Sequence, residues 1–184
     1  MIDELLKSTR TATSHVKAIA VSAGPGSYTG LRIGVATAKG MAFALQIPLI
    51  SVNTLELLAY QASQQDENAG FYCSLIDARR MEVYCLITDQ HLAIQQPTQA
   101  IEVTYEAFIP WLERGKVVFV GSGAAKCMSI IHHPQAIFYP HIHPEAAAMG
   151  TIAQGKFRRG QFENLTSFEP LYLKEFLIKT KVIK

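Results

Sequence analysis

The chain has 184 residues, 49% of them hydrophobic and 17% charged, with a formal net charge of +2. That length suits one large domain or two small ones, and so apolar a composition excludes a disordered chain. It carries no basic stripe of the kind that non-specific nucleic-acid binding requires and no run approaching the roughly 18 apolar residues of a membrane span. The opening MIDELLKSTR is acidic and amphipathic, unlike a signal peptide. Cys73, Cys85 and Cys127 are odd in number and form no CxxC pair, which predicts reduced thiols in a cytoplasmic protein.

Ile2, Leu5 and Leu6 recur at helical spacing, so the chain is expected to open in a helix. Residues 16–21 form a short apolar run rich in strand formers and read as a buried strand. Residues 24–27 read as a turn and residues 28–45 as a helix with Ser27 as its N-cap. Pro48 introduces a second strand, and residues 54–64 read as a helix capped by Asn53 or Thr54. Strand, helix, strand at this spacing predicts a parallel βαβ unit. The polar stretch SQQDENAG is the best boundary and divides 1–64 from 65–184.

After the boundary, FYCSLI and MEVYCLI read as a hairpin joined by Asp77-Ala78-Arg79-Arg80, which places Cys73 and Cys85 on adjacent strands. A helix is expected over residues 104–114. Residues 117–120 read as a strand, followed by Gly121-Ser122-Gly123 and a helix from Ala124. IFYP reads as a short strand, residues 144–154 as a helix with proline in its first turn, and LYLKEFLIKTKVIK as a basic, apolar tail. The fold class is α/β, parallel first and mixed second. Two strands in the first part make a small core for segments this apolar.

Gly24-Pro25-Gly26-Ser27 follows a strand and opens a helix, the context of an anion turn built on backbone N–H groups. Gly24, Gly26 and Ser27 are the candidates. The dinucleotide fingerprint does not fit, because the third glycine, Gly30, comes one residue late and Pro25 removes a donor. No GK[ST] follows, so the P-loop fails as well. A turn kept for packing is the competing reading.

The helix behind that turn is apolar or small nearly all round. Arg32 and Lys39, its charged residues, fall within about 20° of each other on its circumference. A helix that covers one sheet should carry a polar half, so this one is expected to be buried on more than one side. Gly30, Gly34, Thr37, Gly40 and Ala44 share a stripe. Interior glycine costs about 1 kcal/mol relative to alanine, so something is expected to pack close to Gly34 and Gly40. Either the opening helix does so, or a second protein chain does.

Other candidates are weaker. His132, His133, His141 and His143 cluster among prolines, where solvated loop histidines are the simpler account than a metal site. No GxSxG elbow occurs. The Asp77, Arg79 and Arg80 tip reads as either a polar turn or a binding tip.

AIAVSAGPGSYTGLRIGVATAKGMAFALQIPLISVNTLELLA, then DARRMEVYC, then EPLYLKEF resemble, in that order, the TsaB (YeaZ) family. The resemblance implies an actin-like ATPase (ASKHA) fold of two RNase H-like lobes. It implies a part in forming N6-threonylcarbamoyladenosine at position 37 of tRNA, without catalysing the transfer. The catalytic paralogue TsaD is the implied partner, with the ATPase TsaE in the assembly. Helices of the first lobe make that contact as a bundle, which on this chain assigns Ile2, Leu5 and Leu6 of the opening helix. On the second helix it assigns Gly30, Gly34, Thr37, Gly40, Met41 and Ala44.

No cofactor is expected on this chain, with ATP or ADP and metal on the partner, and tRNA is reached only through the complex. A homodimer stays open. The family's usual first strands have no counterpart here, so the first lobe is expected to be incomplete, 1–64, followed by a second lobe with the C-terminal segment, 65–184. The rival readings are a nucleotide-dependent transferase or a glycoprotease-like peptidase, the latter without any HExxH.

Overall fold

The computed structural model describes residues 2–173; the tail expected beyond Leu173 lies outside the described residues. The chain opens with α1 (Ile2–Ser8) and a 3-10 turn at Thr13–His15, then runs through β1 (Ile19–Gly24), α2 (Tyr28–Leu45), β2 (Leu49–Asn53) and α3 (Thr54–Gln65). β1 and β2 pair in parallel, with Ile19 opposite Leu49 and Ser22 opposite Val52. The first strand therefore starts three residues later than its composition predicts. The ladder begins only where the Ile19 N–H meets the Pro48 carbonyl, at 3.0 Å.

Asn53, not Thr54, caps α3: its Oδ1 accepts the Leu55 N–H at 2.8 Å. The Thr54 hydroxyl instead shares a hydrogen bond with Ser22 at 2.6 Å and ties the helix to β1. The outer edge of β2 is closed from far along the chain. Glu163 N–H donates to the Leu49 carbonyl at 2.8 Å, and Lys156 Nζ to that of Ser51 at 2.8 Å.

The second sheet holds β3 (Phe71–Asp77), β4 (Glu82–Asp89), β5 (Ile94–Glu102), β6 (Val117–Val120) and β7 (Ala136–Tyr139), in the order β5-β4-β3-β6-β7. β3, β4 and β5 are antiparallel neighbours, while β6 and β7 run parallel to β3. The interleaving helices are α4 (Ile109–Leu112), α5 (Ala124–Met128) and α6 (Ala146–Arg158). Side chains of β3 alternate between two cores. Phe71, Cys73 and Leu75 join Phe108, Leu112 and Cys127 on one face. Tyr72 joins Leu55, Leu58 and Ala62 of α3 on the other. Cys73 Sγ and Cys85 Sγ lie 3.7 Å apart, and all three cysteines are free and buried.

The sequence expectations for three elements are corrected here. The helix expected over 104–114 shrinks to Ile109–Leu112, because Pro110 has no N–H for the residue 106 carbonyl and its ring crowds that carbonyl. β5 was not expected: IQQPTQAIE is polar and contains Pro97, which a sheet tolerates at an edge. The helix expected from Pro144 starts at Ala146 behind an extended Glu145 and continues to Arg158.

α6 then returns to the first sheet, where Met149, Ile152 and Ala153 pack with Ile50, Val52 and Leu57. Leu165 and Phe168 cover the other face, against Ile19, Val21, Ala38, Ala42 and Leu49. α3 stands between the two sheets, with Leu57 in the first core and Leu55 and Leu58 in the second.

Candidate protein-docking face

α2 is cut sharply at both ends. Ser27 Oγ accepts the Gly30 N–H at 3.4 Å, and Gln46 closes the helix in a left-handed conformation. Its inner arc is narrow: Val35, Ala38 and Ala42 are buried. The opposite arc is open. Ile33 is 64% exposed and Phe43 77%, with Gly30, Thr37, Gly40 and Ala44 exposed beside them and Gly34 and Met41 half-buried. Among the described residues, a Cβ added at Gly34 or Gly40 would meet nothing within 4 Å.

Of the two alternatives for the glycine stripe, a covering neighbour within the chain finds no counterpart among the described residues. α1 buries none of its residues; Ile2 and Leu5 are exposed and Leu6 is half-buried. Nothing among the described residues offsets the helix cost of those two glycines.

The cationic flank of α2 is occupied internally. Lys39 Nζ donates to the Phe168 carbonyl at 2.9 Å, and Arg32 donates to the Tyr28 hydroxyl at 2.9 Å. What faces outward from Gly30 to Ala44 is uncharged apart from that flank. At the C-terminal end of the arc, a groove of about 440 Å³ is lined by Ala42, Phe43, Ile47 and Leu165 among others. An uncharged, partly apolar stripe of this kind suits a second polypeptide surface. Sequence reasoning found its small residues but not Ile33 or Phe43. At about 100° per residue Ile33 falls between Gly40 and Ala44 on the wheel, so the signal for it was present.

The glycine turn is a packing feature on its inner side. Gly24 has φ +106°, and a Cβ there would stand 3.0 Å from Leu31 Cδ1 and 3.1 Å from the Leu171 carbonyl. Leu171 N–H donates to the Ala23 carbonyl at 2.7 Å, and the Tyr172 ring lies against Tyr28 with centroids 5.2 Å apart. Gly26 and Ser27 are exposed, and the Ser27 hydroxyl is engaged as the helix cap.

The second turn has a similar origin. At Gly121, φ +98°, a Cβ would collide with the Leu75 carbonyl oxygen, and at Gly123 it would come within 2.9 Å of Leu75 and Val83. His141 packs edge-on to Tyr139. No group of three or more His, Cys, Asp or Glu side chains converges as a metal set among the described residues. None of the described helices is long and apolar enough to cross a membrane.

Comparison with known proteins gives three kinds of match. A family model described as TsaD, tRNA N6-adenosine threonylcarbamoyltransferase, matches residues 1–181. The tRNA threonylcarbamoyladenosine biosynthesis protein TsaB of Escherichia coli K12 is 38% identical over 84 residues, 46% of this chain and 36% of that protein. TsaB of Bacillus subtilis 168 is 42% identical over 83 residues, 45% of this chain and 35% of that protein. The aligned stretch thus spans about a third of either curated relative. Among solved structures, YeaZ from Pseudomonas aeruginosa superposes with a TM-score of 0.81 at 30% identity, covering 94% of this chain and 81% of that one.

Proposed function

Since the chain belongs to the family that this model describes, and within it to the TsaB (YeaZ) proteins of actin-like α/β fold, we propose that it serves the formation of N6-threonylcarbamoyladenosine in tRNA as a non-catalytic scaffold subunit. Its partner in this reading is a TsaD-like paralogue that carries the nucleotide, the metal and the transfer chemistry. A TsaE-like ATPase joins the same cytoplasmic assembly, and tRNA is met there and not by the isolated chain. A second copy of this chain would compete for the same face.

One observation carries the reading: the outward arc of α2, with Ile33 and Phe43 exposed and open space over Gly34 and Gly40. Small residues let a partner's helix approach closely, and the flanking Ile and Phe supply apolar area to bury. α1 offers Ile2 and Leu5 as further exposed apolar residues near the chain start.

The test is co-purification with the TsaD-like protein, before and after Gly34→Leu and, separately, Phe43→Asp. Each variant is expected to reduce capture at least tenfold while the chain stays folded, since neither position is buried. Full capture by both variants would remove this face from the assembly, and absence of capture by the wild type would remove the function.

A further inference from the structure

The hairpin between β3 and β4 ends in a tip, residues 77–81, that the docking face does not use. Arg79 and Arg80 both adopt left-handed backbone, with φ 68° and 47°. Side chains disfavour that conformation, and turns that need it ordinarily take Gly, Asn or Asp. Arg10, Gln46 and Leu92 are also left-handed, but singly; among the described residues only this tip has two side-chain-bearing residues in succession. The turn's geometry would be met more easily by other residues, so the backbone gives no reason for arginine at either position.

The tip is anchored from below. Asp77 Oδ1 accepts the Arg79 N–H at 2.7 Å and Lys126 Nζ at 2.8 Å. Lys126 Nζ also donates to the Glu82 carbonyl at 3.1 Å, and the Asp77 N–H donates to Ser122 Oγ at 3.2 Å. Lys126 thereby takes up the Asp77 carboxylate at the base of the tip. Neither guanidinium has an ion pair, side-chain hydrogen bond or ring contact among the described residues, and both arginines are exposed.

Two unpaired forks on an anchored tip match an oxyanion, because guanidinium binds phosphate oxygens bidentately. Arginine side chains are among the usual donors to the phosphate oxygens of nucleic acid. A protein surface engages some 20–30 residues a side, far more than a five-residue tip presents. We propose that Arg79 and Arg80 form a phosphate-contact site for the backbone of the tRNA held in the threonylcarbamoylation assembly, an inference that rests on the function proposed above. The tip belongs to the second sheet and the docking face to the first, so the two contacts do not share an element.

The test uses Arg79→Asn combined with Arg80→Gly, which supplies residues suited to a left-handed turn and so retains the hairpin. The full chain, wild type or variant, is assembled with its TsaD-like and TsaE-like partners. Binding of an unmodified tRNA transcript is then followed by fluorescence anisotropy across a salt series. Loss of two phosphate contacts should weaken binding at low salt by roughly tenfold or more and flatten the slope of log K against log salt by roughly 1.4–1.8. The melting temperature of the chain and its capture of the partners should not fall. Arg79→Lys with Arg80→Lys should restore the slope but not the full affinity. Intact assembly with unchanged affinity and slope overturns the phosphate site and leaves the proposed function standing. Loss of partner capture by the Asn-Gly variant assigns the tip to a protein contact and overturns it as well. Failure of the wild type to assemble removes the function and the tRNA contact together.

Discussion

The glycines of α2 support a prediction in which stability and binding move in opposite directions. Replacing Gly34 and Gly40 by alanine adds two methyl groups that meet nothing within 4 Å among the described residues. No steric cost arises in the free protein, so the helix gains the intrinsic preference for alanine, about 1 kcal/mol per site. The double variant should be more stable by about 2 kcal/mol. For a chain of this size 1 kcal/mol moves the melting temperature by roughly 2–4 °C, so a rise of roughly 4–8 °C is expected in a thermal melt followed by circular dichroism. Against a closely packed partner helix the same methyls overpack the contact, at a cost of roughly 1–3 kcal/mol. Titration calorimetry with the TsaD-like protein should then show binding weakened roughly 5- to 150-fold. A melting temperature that falls would mean the stripe is covered within the chain. A dissociation constant that does not change would mean the partner docks elsewhere.

Gly121→Ala is expected to be severe, because it adds left-handed strain to a collision with the Leu75 carbonyl; a loss of roughly 2–6 kcal/mol in urea unfolding follows. Gly160→Ala, left-handed but in open space, should cost only about 1 kcal/mol. Burial pushes the Asp77 carboxyl up, but the hydrogen bonds from Lys126 and the Arg79 N–H, with the Lys126 charge, outweigh it and hold the group below its ordinary value. Its contribution to stability is therefore present above the unfolded value of about 3.9 and is lost as pH falls through the lower folded value. Asp77→Asn should flatten the acid side of the stability profile slightly, this being a half-exposed pair. Burial raises the Cys73 thiol well above its usual range, and that of Cys127 to about 12. Iodoacetamide at pH 8 should add nothing to the native chain and three groups to the denatured one, read by intact mass.

Elements whose own residues carry the signal were legible in the sequence. α2 and α3 announce themselves by their length and a capping side chain, and β3, β4 and β6 by short apolar runs. β5 was not legible, because an edge strand needs no apolar run and Pro97 argues locally against pairing. The helix expected over 104–114 is too long because it runs through Pro110, whose missing N–H and bulky ring interrupt it. On α2 the small-residue stripe was visible, but which side faces inward was not. A helix apolar nearly all round gives the wheel no polar face to orient it; the wheel places Ile33 on the stripe, but that the stripe faces outward follows only from the burial of Val35, Ala38 and Ala42, the last two against β1 and β2. The closure of the first sheet by Lys156, Glu163 and Leu171 was invisible for another reason. Each bond spans more than a hundred positions and leaves no local pattern.

Those long-distance bonds bear on how the protein is made. At roughly 5–20 residues per second, the 105 positions separating Ser51 from Lys156 take a ribosome on the order of 5–20 s to add. Throughout that interval the nascent β1–α2–β2 unit lacks the residues that fasten it. The five-stranded layer has all its strands once Tyr139 has emerged. The later-synthesised half is thus equipped to settle first, and the earlier half waits on residues added near the end of synthesis.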